Sequence, residues 1–272
     1  MNVIQDSALK DDVREYWNSQ PCGTQFSDSM KYTRAYFDEI EAHRYKIEPD
    51  IFSFAQFTRY YGKNVLEVGI GAGTDFVQWV RAGAKAHGID ATQEGVNHVQ
   101  QRLQAYDLRA EDVRVADCEA LPYQDDEFDL VYSWGVIHHT PNTQGALREI
   151  VRVCKPGGQG KIMIYHRHSL LAYFVWVNRA LLVGKPWKTL KWCLFHHMES
   201  IGTKAYTIKE AKAMFNGLPV ERVVIHTHLT YYDRLKRFGK LHQSAAWLAS
   251  KILGGDKSGW FMTIEFSKRS NG

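Results

Sequence analysis

Residues Val65-Leu66-Glu67-Val68-Gly69-Ile70-Gly71-Ala72-Gly73-Thr74-Asp75 run from a buried-strand pattern straight into three glycines at alternate positions. The aliphatic run reads as a strand, and the glycines permit the dihedrals of a tight strand-to-helix turn. They also remove the Cβ atoms that would hold a ligand off the backbone, so a small molecule can lie against bare peptide. A second apolar segment, Lys85-Ala86-His87-Gly88-Ile89, ends at Asp90. That places a carboxylate about twenty residues beyond the loop, where one that accepts bonds from ribose hydroxyls is expected. The two segments predict a βαβ nucleoside site.

Glycine spacing narrows the ligand. A dinucleotide loop wants G-x-G-x-x-G, with its helix N-terminus facing a pyrophosphate. Here the third glycine falls one place early and Asp75 follows Thr74, a negative charge that would repel a pyrophosphate at that helix end. A cofactor without phosphates suits the loop better, which disfavours an NAD-dependent oxidoreductase.

Three further segments extend the pattern: Ala116-Asp117-Cys118-Glu119-Ala120-Leu121-Pro122-Tyr123, then Phe128-Asp129-Leu130-Val131-Tyr132-Ser133 through Val136-Ile137-His138-His139, and Leu147-Arg148-Glu149-Ile150-Val151-Arg152-Val153-Cys154-Lys155-Pro156-Gly157-Gly158. In this order and spacing, across about residues 63 to 166, the chain resembles the class I S-adenosylmethionine-dependent methyltransferases, in the broad group (methyltransferase type 11) that includes the ubiquinone and menaquinone methyltransferases. The resemblance implies that Gly69, Gly71 and Gly73 pass under the methionine part and ribose of S-adenosylmethionine, that Asp90 holds the ribose hydroxyls, and that Asp117 accepts from the adenine amino group. It implies a backbone N–H donated by Cys118 to the adenine ring, Ser133 and Trp134 beside the sulfonium, and Glu67 shaping the same pocket. It names no acceptor, because the motifs are shared by O-, S-, N- and C-methylation.

Strands at 64–69, 85–89, 112–116, 128–133 and 160–165 alternate with helices at 74–82, 92–106 and 142–153, and alternation of this kind implies a parallel doubly wound sheet. Helix 207–216 and strands 220–227 and 259–267 add an antiparallel edge. The expected fold is α/β, a Rossmann-like, mostly parallel, seven-stranded sheet. Residues 1–60, with helices over Asp11 to Asn18 and Met30 to His43, form an N-terminal helical cap. Residues 61–272 form the methyltransferase domain, and an aromatic, apolar stretch over 167–205 interrupts it as an acceptor-side insertion after the fifth strand. Thr207 and Glu210 have the spacing of a capping box.

Methyl transfer is an in-line displacement, so the protein must chiefly align nucleophile, methyl carbon and sulfur, and an O–H or S–H acceptor also needs a base. Histidine fits that task. His139, His166 and His138 are the candidates at the carboxyl edge of the sheet, with His168 beside them; His138 suits packing as well as catalysis. Tyr16, Arg44 and Tyr45 in the cap and Trp176 in the insertion are candidate acceptor contacts. The expected activity is transfer of a methyl group to a small, apolar phenol, quinol or thiol; the alternative is a sensor or scaffold that binds S-adenosylmethionine without turnover.

Composition sets the remaining bounds. The 272 residues, 44% hydrophobic and 24% charged with a net charge of +4, suit a soluble enzyme-sized domain and carry no strong basic tract, so no nucleic acid is expected as partner. The run Arg234-Leu235-Lys236-Arg237-Phe238-Gly239-Lys240 reads as a solvated helix face. Four scattered cysteines form no C-x-x-C pair, so neither a metal nor a disulfide framework is expected. The N-terminus lacks the regions of a secretory signal, which makes the expected location cytoplasmic. Residues 169–183 are apolar enough to touch a membrane surface but too short to span one. A monomer or homodimer is expected, the aromatic insertion being a candidate dimer face.

Overall fold

In strand β1 (Asn64–Val68), Val65 packs into one hydrophobic cluster and Leu66 and Val68 into another, the period-two signature of a strand covered on both faces. The computed structural model describes residues 3–19, 21–200, 202–235 and 240–270. The strands that follow are β2 (Lys85–Asp90), β3 (Asp112–Val115), β4 (Phe128–Trp134), β5 (Cys154–His166), β6 (Ala205–Tyr206), β7 (Val220–His228) and β8 (Phe261–Lys268). They form one open sheet in the order β3-β2-β1-β4-β5-β8-β7, in which β8 runs antiparallel to both neighbours and the rest of the path is parallel. The seven expected strands are all present. A two-residue β6, with no signal of its own, pairs with the end of β5.

Helices α1 (Val3–Ser19), α2 (Arg34–Ile47) and α3 (Asp50–Ala55) precede the sheet, and α4 (Thr74–Arg81), α5 (Gln93–Ala105) and α6 (Thr143–Val153) cross between its strands. Beyond β5 come α7 (Leu170–Trp176), α8 (Leu190–His197), α9 (Ile208–Ala213), α10 (Lys240–Leu253) and α11 (Gly255–Ser258). One face of the sheet packs against α3, α4, α5, α7 and α8 through residues such as Phe54, Trp79, Leu103, Ala172 and Leu194. The other packs against α6 and α9 through Leu147, Ile150, Ala211 and Phe215. Several helix starts are fixed by side-chain caps: Thr92 for α5, Asn142 for α6, Ser169 for α7, and at α9 the full Thr207–Glu210 capping box.

Because β1 continues to β2 on one side and the chain then returns to place β4 on the other, the order reverses between β1 and β4. A crevice opens outside the carboxyl ends of strands at such a reversal. Among the described residues no helix is long and apolar enough to cross a membrane. In the Arg234–Lys240 run, residues 236–239 lie outside the described residues, as do residues 1 and 2 of the N-terminus.

Candidate active site

The crevice is the mouth of a cavity of about 1130 Å³. Its floor is the glycine loop. Gly69, Gly71 and Gly73 all have positive φ, at 81°, 49° and 75°, so each is in backbone space that favours glycine. Their side-chain vacancies differ. A Cβ on Gly69 would come within 2.3 Å of Val136, and one on Gly73 within 2.7 Å of Val99 on α5, whereas one on Gly71 would meet nothing within 4 Å. Gly71 is therefore the position at which bare backbone faces open space. Gly73, expected under the ligand, does not line the cavity; it is glycine so that α5 can approach the loop.

Asp90 ends β2 beside this floor. Its Oδ1 accepts from Thr92 N–H at 2.9 Å and from the Thr92 hydroxyl at 2.7 Å, and its Oδ2 accepts from Gly71 N–H at 2.9 Å. The carboxylate thereby locks the loop and keeps one lone pair of Oδ2 for a ligand. Farther along the wall, Asp117 accepts from Glu119 N–H at 2.8 Å, and the Lys10 ammonium of α1 lies 2.6 Å from both Asp117 and Glu119. Cys118 lines the wall between these two carboxylates, its thiol pushed up to about 12 by burial.

On the other side of Gly71 the cavity passes a buried charged group. Asp75, at the start of α4, accepts from Arg44 at 3.2 Å, Tyr45 at 3.2 Å and Tyr132 at 3.1 Å, and Arg44 also pairs with Glu48 at 3.5 Å. Glu67 accepts from the Trp79 indole at 2.8 Å, and burial with the neighbouring Asp75 charge holds its carboxyl well above the usual range. Trp134 donates its indole N–H to Glu48 at 2.8 Å. Arg44 lines the cavity, while Tyr45 stands behind it.

The far end is an aromatic chamber. Tyr16 and Trp17 of α1, Tyr165 of β5, Tyr232, Trp260 and Phe261 line it together with Met198 and Glu199. The Tyr165 ring lies 4.2 Å from that of Trp260, and its hydroxyl donates to Glu199 at 3.3 Å. Surrounded by protein but open to solvent through the cavity, Glu199 has its carboxyl raised to about 7, chiefly by burial.

The four histidines fare differently. His139 lines the chamber, edge-on to Trp17 at 5.4 Å, with Nδ1 within 3.0 Å of the Ser200 hydroxyl and 3.1 Å of that of Thr203. Burial, reinforced by Lys204, lowers it to about 3, so it is neutral at neutral pH and a weak base. His138 is fully buried, packed at a tilt against both His139 and Tyr165, with neither ring nitrogen hydrogen-bonded, and is held well below its usual range by burial. His166 does not reach the cavity; its Nδ1 lies 3.1 Å from Gly259 O. His168 pairs with the Tyr173 hydroxyl at 2.8 Å.

The reason His166 and Ser133 miss the chamber is strand alternation. Trp134 and Tyr165 point to the sheet face that carries α3 and α7, so Ser133 and His166, one residue away on the same strands, point to the opposite face. Ser133 is fully buried and its hydroxyl has no partner. Trp176 also lies off the cavity, donating its indole N–H to Lys188 O at 2.6 Å and so tying α7 to the loop that follows. Among residues not singled out from sequence, Lys10, Trp17, Glu48, Tyr165, Glu199 and Tyr232 all line the cavity. Glu199 carries a signal in the sequence: it is the only acidic residue between Glu149 and Glu210.

Comparison with known proteins adds a family. The methyltransferase domain family matches residues 66–161. Over 97 residues the chain is 37% identical to an uncharacterized protein of Mycobacterium tuberculosis, a stretch that covers 36% of this chain and 35% of that protein. Over 99 residues it is 35% identical to phthiotriol/phenolphthiotriol dimycocerosates methyltransferase 1 of Mycobacterium ulcerans, again 36% of this chain and 35% of the relative. The match thus spans about a third of the length of these relatives. In three dimensions the chain is similar to the geranyl diphosphate C-methyltransferase of Streptomyces coelicolor, solved with Mg2+, geranyl diphosphate and S-adenosylhomocysteine: TM-score 0.61, 14% identity, 96% of this chain and 98% of that one. At that identity the likeness is one of fold.

Proposed function

We propose that this chain, whose residues 66–161 match the methyltransferase domain family, binds S-adenosylmethionine in the cavity and transfers its methyl group to a small apolar acceptor with an ionisable O–H or S–H group. The observation that carries the proposal is the cavity itself, which runs from Asp90 and Asp117, past the open position at Gly71, into an aromatic chamber that ends at Glu199. The residues fit the cofactor: Gly71 leaves room for it, Asp90 Oδ2 has a free lone pair for a ribose hydroxyl, and Asp117 is an acceptor for an adenine amino group. Gly69, Glu67, Cys118 and Trp134 line the same channel.

When bound, S-adenosylmethionine supplies an electrophilic methyl on a sulfonium. The chain's own work is alignment and proton removal. Tyr165, Trp260 and Phe261 offer flat apolar walls against which a ring can lie, and alignment of two reactants is worth up to ~7–11 kcal/mol. For the proton, Glu199 is better placed than His139, because the protein around it raises its carboxyl to about 7 while burial lowers the His139 imidazole to about 3. A base works best with its pKa near the working pH. His139 and Tyr16 border the acceptor, and Arg44, fixed between Asp75 and Glu48, has a cation to offer an anionic group. Residues 1–60 act as the cap and 167–205 as the acceptor-side insertion.

The test is twofold. S-adenosylhomocysteine at about a hundred times its dissociation constant should stabilise the protein by ~2.7 kcal/mol in a thermal-shift measurement. Methyl-labelled S-adenosylmethionine should then label at least one member of a panel of thiols, phenols and quinols. No stabilisation sinks the proposal; stabilisation with no labelled acceptor favours a sensor or scaffold.

A further inference from the structure

The acid-free stretch that ends at Glu199 begins far upstream. Residues 167–198 hold Arg167, Arg179, Lys185, Lys188 and Lys191 and no Asp or Glu; residues 234–255 hold Arg234, Lys236, Arg237, Lys240 and Lys251 and again none. These 54 residues carry 10 of the chain's 34 Lys and Arg and none of its 30 Asp and Glu, so the remainder of a chain of net charge +4 is net negative. The two stretches are neighbours in space. Leu170 of α7 and Ala246 of α10 belong to one small cluster, with Phe174 and Ala249 packed against it.

Several large apolar residues of these stretches point the wrong way for a helix facing only water. On α10, Ala246 and Ala249 pack against the α7 cluster, while Trp247, Leu248 and Ile252 stand 63%, 54% and 73% exposed around Lys251. An ordinary surface helix buries its large apolar side and exposes its polar one. After α7, Leu182, Val183 and Trp187 are 71%, 53% and 71% exposed, with Lys185 and Lys188 between and beside them. Large aliphatic and indole side chains interleaved with lysines, and no acid among them, match the boundary of a bilayer with anionic headgroups, where the apolar groups enter the acyl region and the ammonium groups meet phosphate. A second copy of the chain fits poorly, since it would bring a surface of the same sign against this one.

We propose that the 181–188 loop and the outer face of α10 seat the protein on an anionic lipid surface. Leu171 and Met198 of the first stretch, with Glu199 and Tyr232 that flank the two stretches, line the acceptor chamber, so the seat and the chamber are joined through the same chain segments. Docking itself does not depend on what the cavity catalyses.

Co-sedimentation of the full chain with phosphatidylcholine vesicles, with and without phosphatidylglycerol, tests the seat directly. The expected result is binding that requires phosphatidylglycerol and weakens as salt shortens the reach of the charges. Leu182→Asp with Trp187→Asp, or Trp247→Asp with Ile252→Asp, should each lower vesicle binding about tenfold or more. All four side chains are exposed, so these variants should retain the S-adenosylhomocysteine thermal shift, and Met30→Asp, equally exposed on another segment, should bind vesicles as the parent does. No binding to anionic vesicles, or binding unchanged by the aspartates, overturns the proposal. So does a dimer in sedimentation analysis that the same substitutions dissolve, which would make this face a contact between copies. A missing S-adenosylhomocysteine shift with vesicle binding intact would overturn the catalytic proposal alone.

Discussion

Glu199 and His139 face one chamber and burial moves them in opposite senses, because it penalises a charge of either sign: the carboxyl rises to about 7 and the imidazole falls to about 3. Turnover that needs the ionised carboxylate should therefore climb as pH passes through about 7. Glu199→Gln should remove that climb and lower kcat by a factor of about 10² to 10⁴ while S-adenosylhomocysteine affinity, by calorimetry, stays within about twofold. Equal losses in both would make Glu199 structural. The depressed imidazole has a stability consequence instead. Between pH 6.5 and about 3 the unfolded chain takes up a proton that folded His139 refuses, so the folded state should lose up to about 1.4 kcal/mol for each unit of acidification across that window. Denaturant melts of His139→Gln should show a shallower acid dependence than the parent; an unaltered slope would remove His139 from the account. Both residues were legible in the sequence in part. His139 stands in the motif after β4, and Glu199 is isolated in an acid-free stretch, yet nothing local says that β5 and the 199–203 segment meet. His166 and Ser133 were misplaced for a simpler reason: alternation along β4 and β5 already assigns them to the face away from Trp134 and Tyr165.

At the scale of elements, the alternation from β1 to β5 could be read from hydrophobic periodicity because β1, β4 and β5 are largely buried on both faces, and each crossing helix carries a cap or an apolar stripe; the edge strand β3 is half-buried or exposed. Helix α10 could not. Its Trp247, Leu248 and Ile252 face outward while Ala246 and Ala249 pack inward, the reverse of the usual pattern, and β6 is too short to carry one. The glycine loop shows how one motif holds two kinds of constraint. Gly73→Ala should destabilise the fold by about 2–4 kcal/mol, because the new Cβ meets Val99 at 2.7 Å in backbone of positive φ. Gly71→Ala should cost only the backbone strain, about 1–2 kcal/mol, yet weaken S-adenosylhomocysteine binding about tenfold or more, since its Cβ projects toward open space. Denaturant unfolding and calorimetry on the pair separate the two constraints; identical behaviour of both variants would mean that Gly71 also serves packing alone.

Across the whole molecule, a ligand in the cavity would touch segments that otherwise meet sparsely. Helix α1 brings Tyr16 and Trp17 to the chamber, β1 and β2 supply the floor, and β8 supplies Phe261. Hydrogen exchange should accordingly slow in α1 when S-adenosylhomocysteine binds and stay unchanged in α10, whose outer face lies away from the cavity; protection confined to the glycine loop would count against α1 as a cover. The Lys10 ammonium adds a twist to how that cover works. It sits 2.6 Å from Asp117, the proposed acceptor for the adenine amino group, and 2.6 Å from Glu119, so Asp117 has a cation of the chain's own beside it. An amino group bound at Asp117 as proposed would compete with this internal stand-in for the carboxylate, and the pair is partly exposed, hence open to screening. Added salt should then favour the ligand over its stand-in and tighten cofactor binding, the reverse of what charge attraction alone would give, and a Lys10→Met chain should bind tightly at every ionic strength.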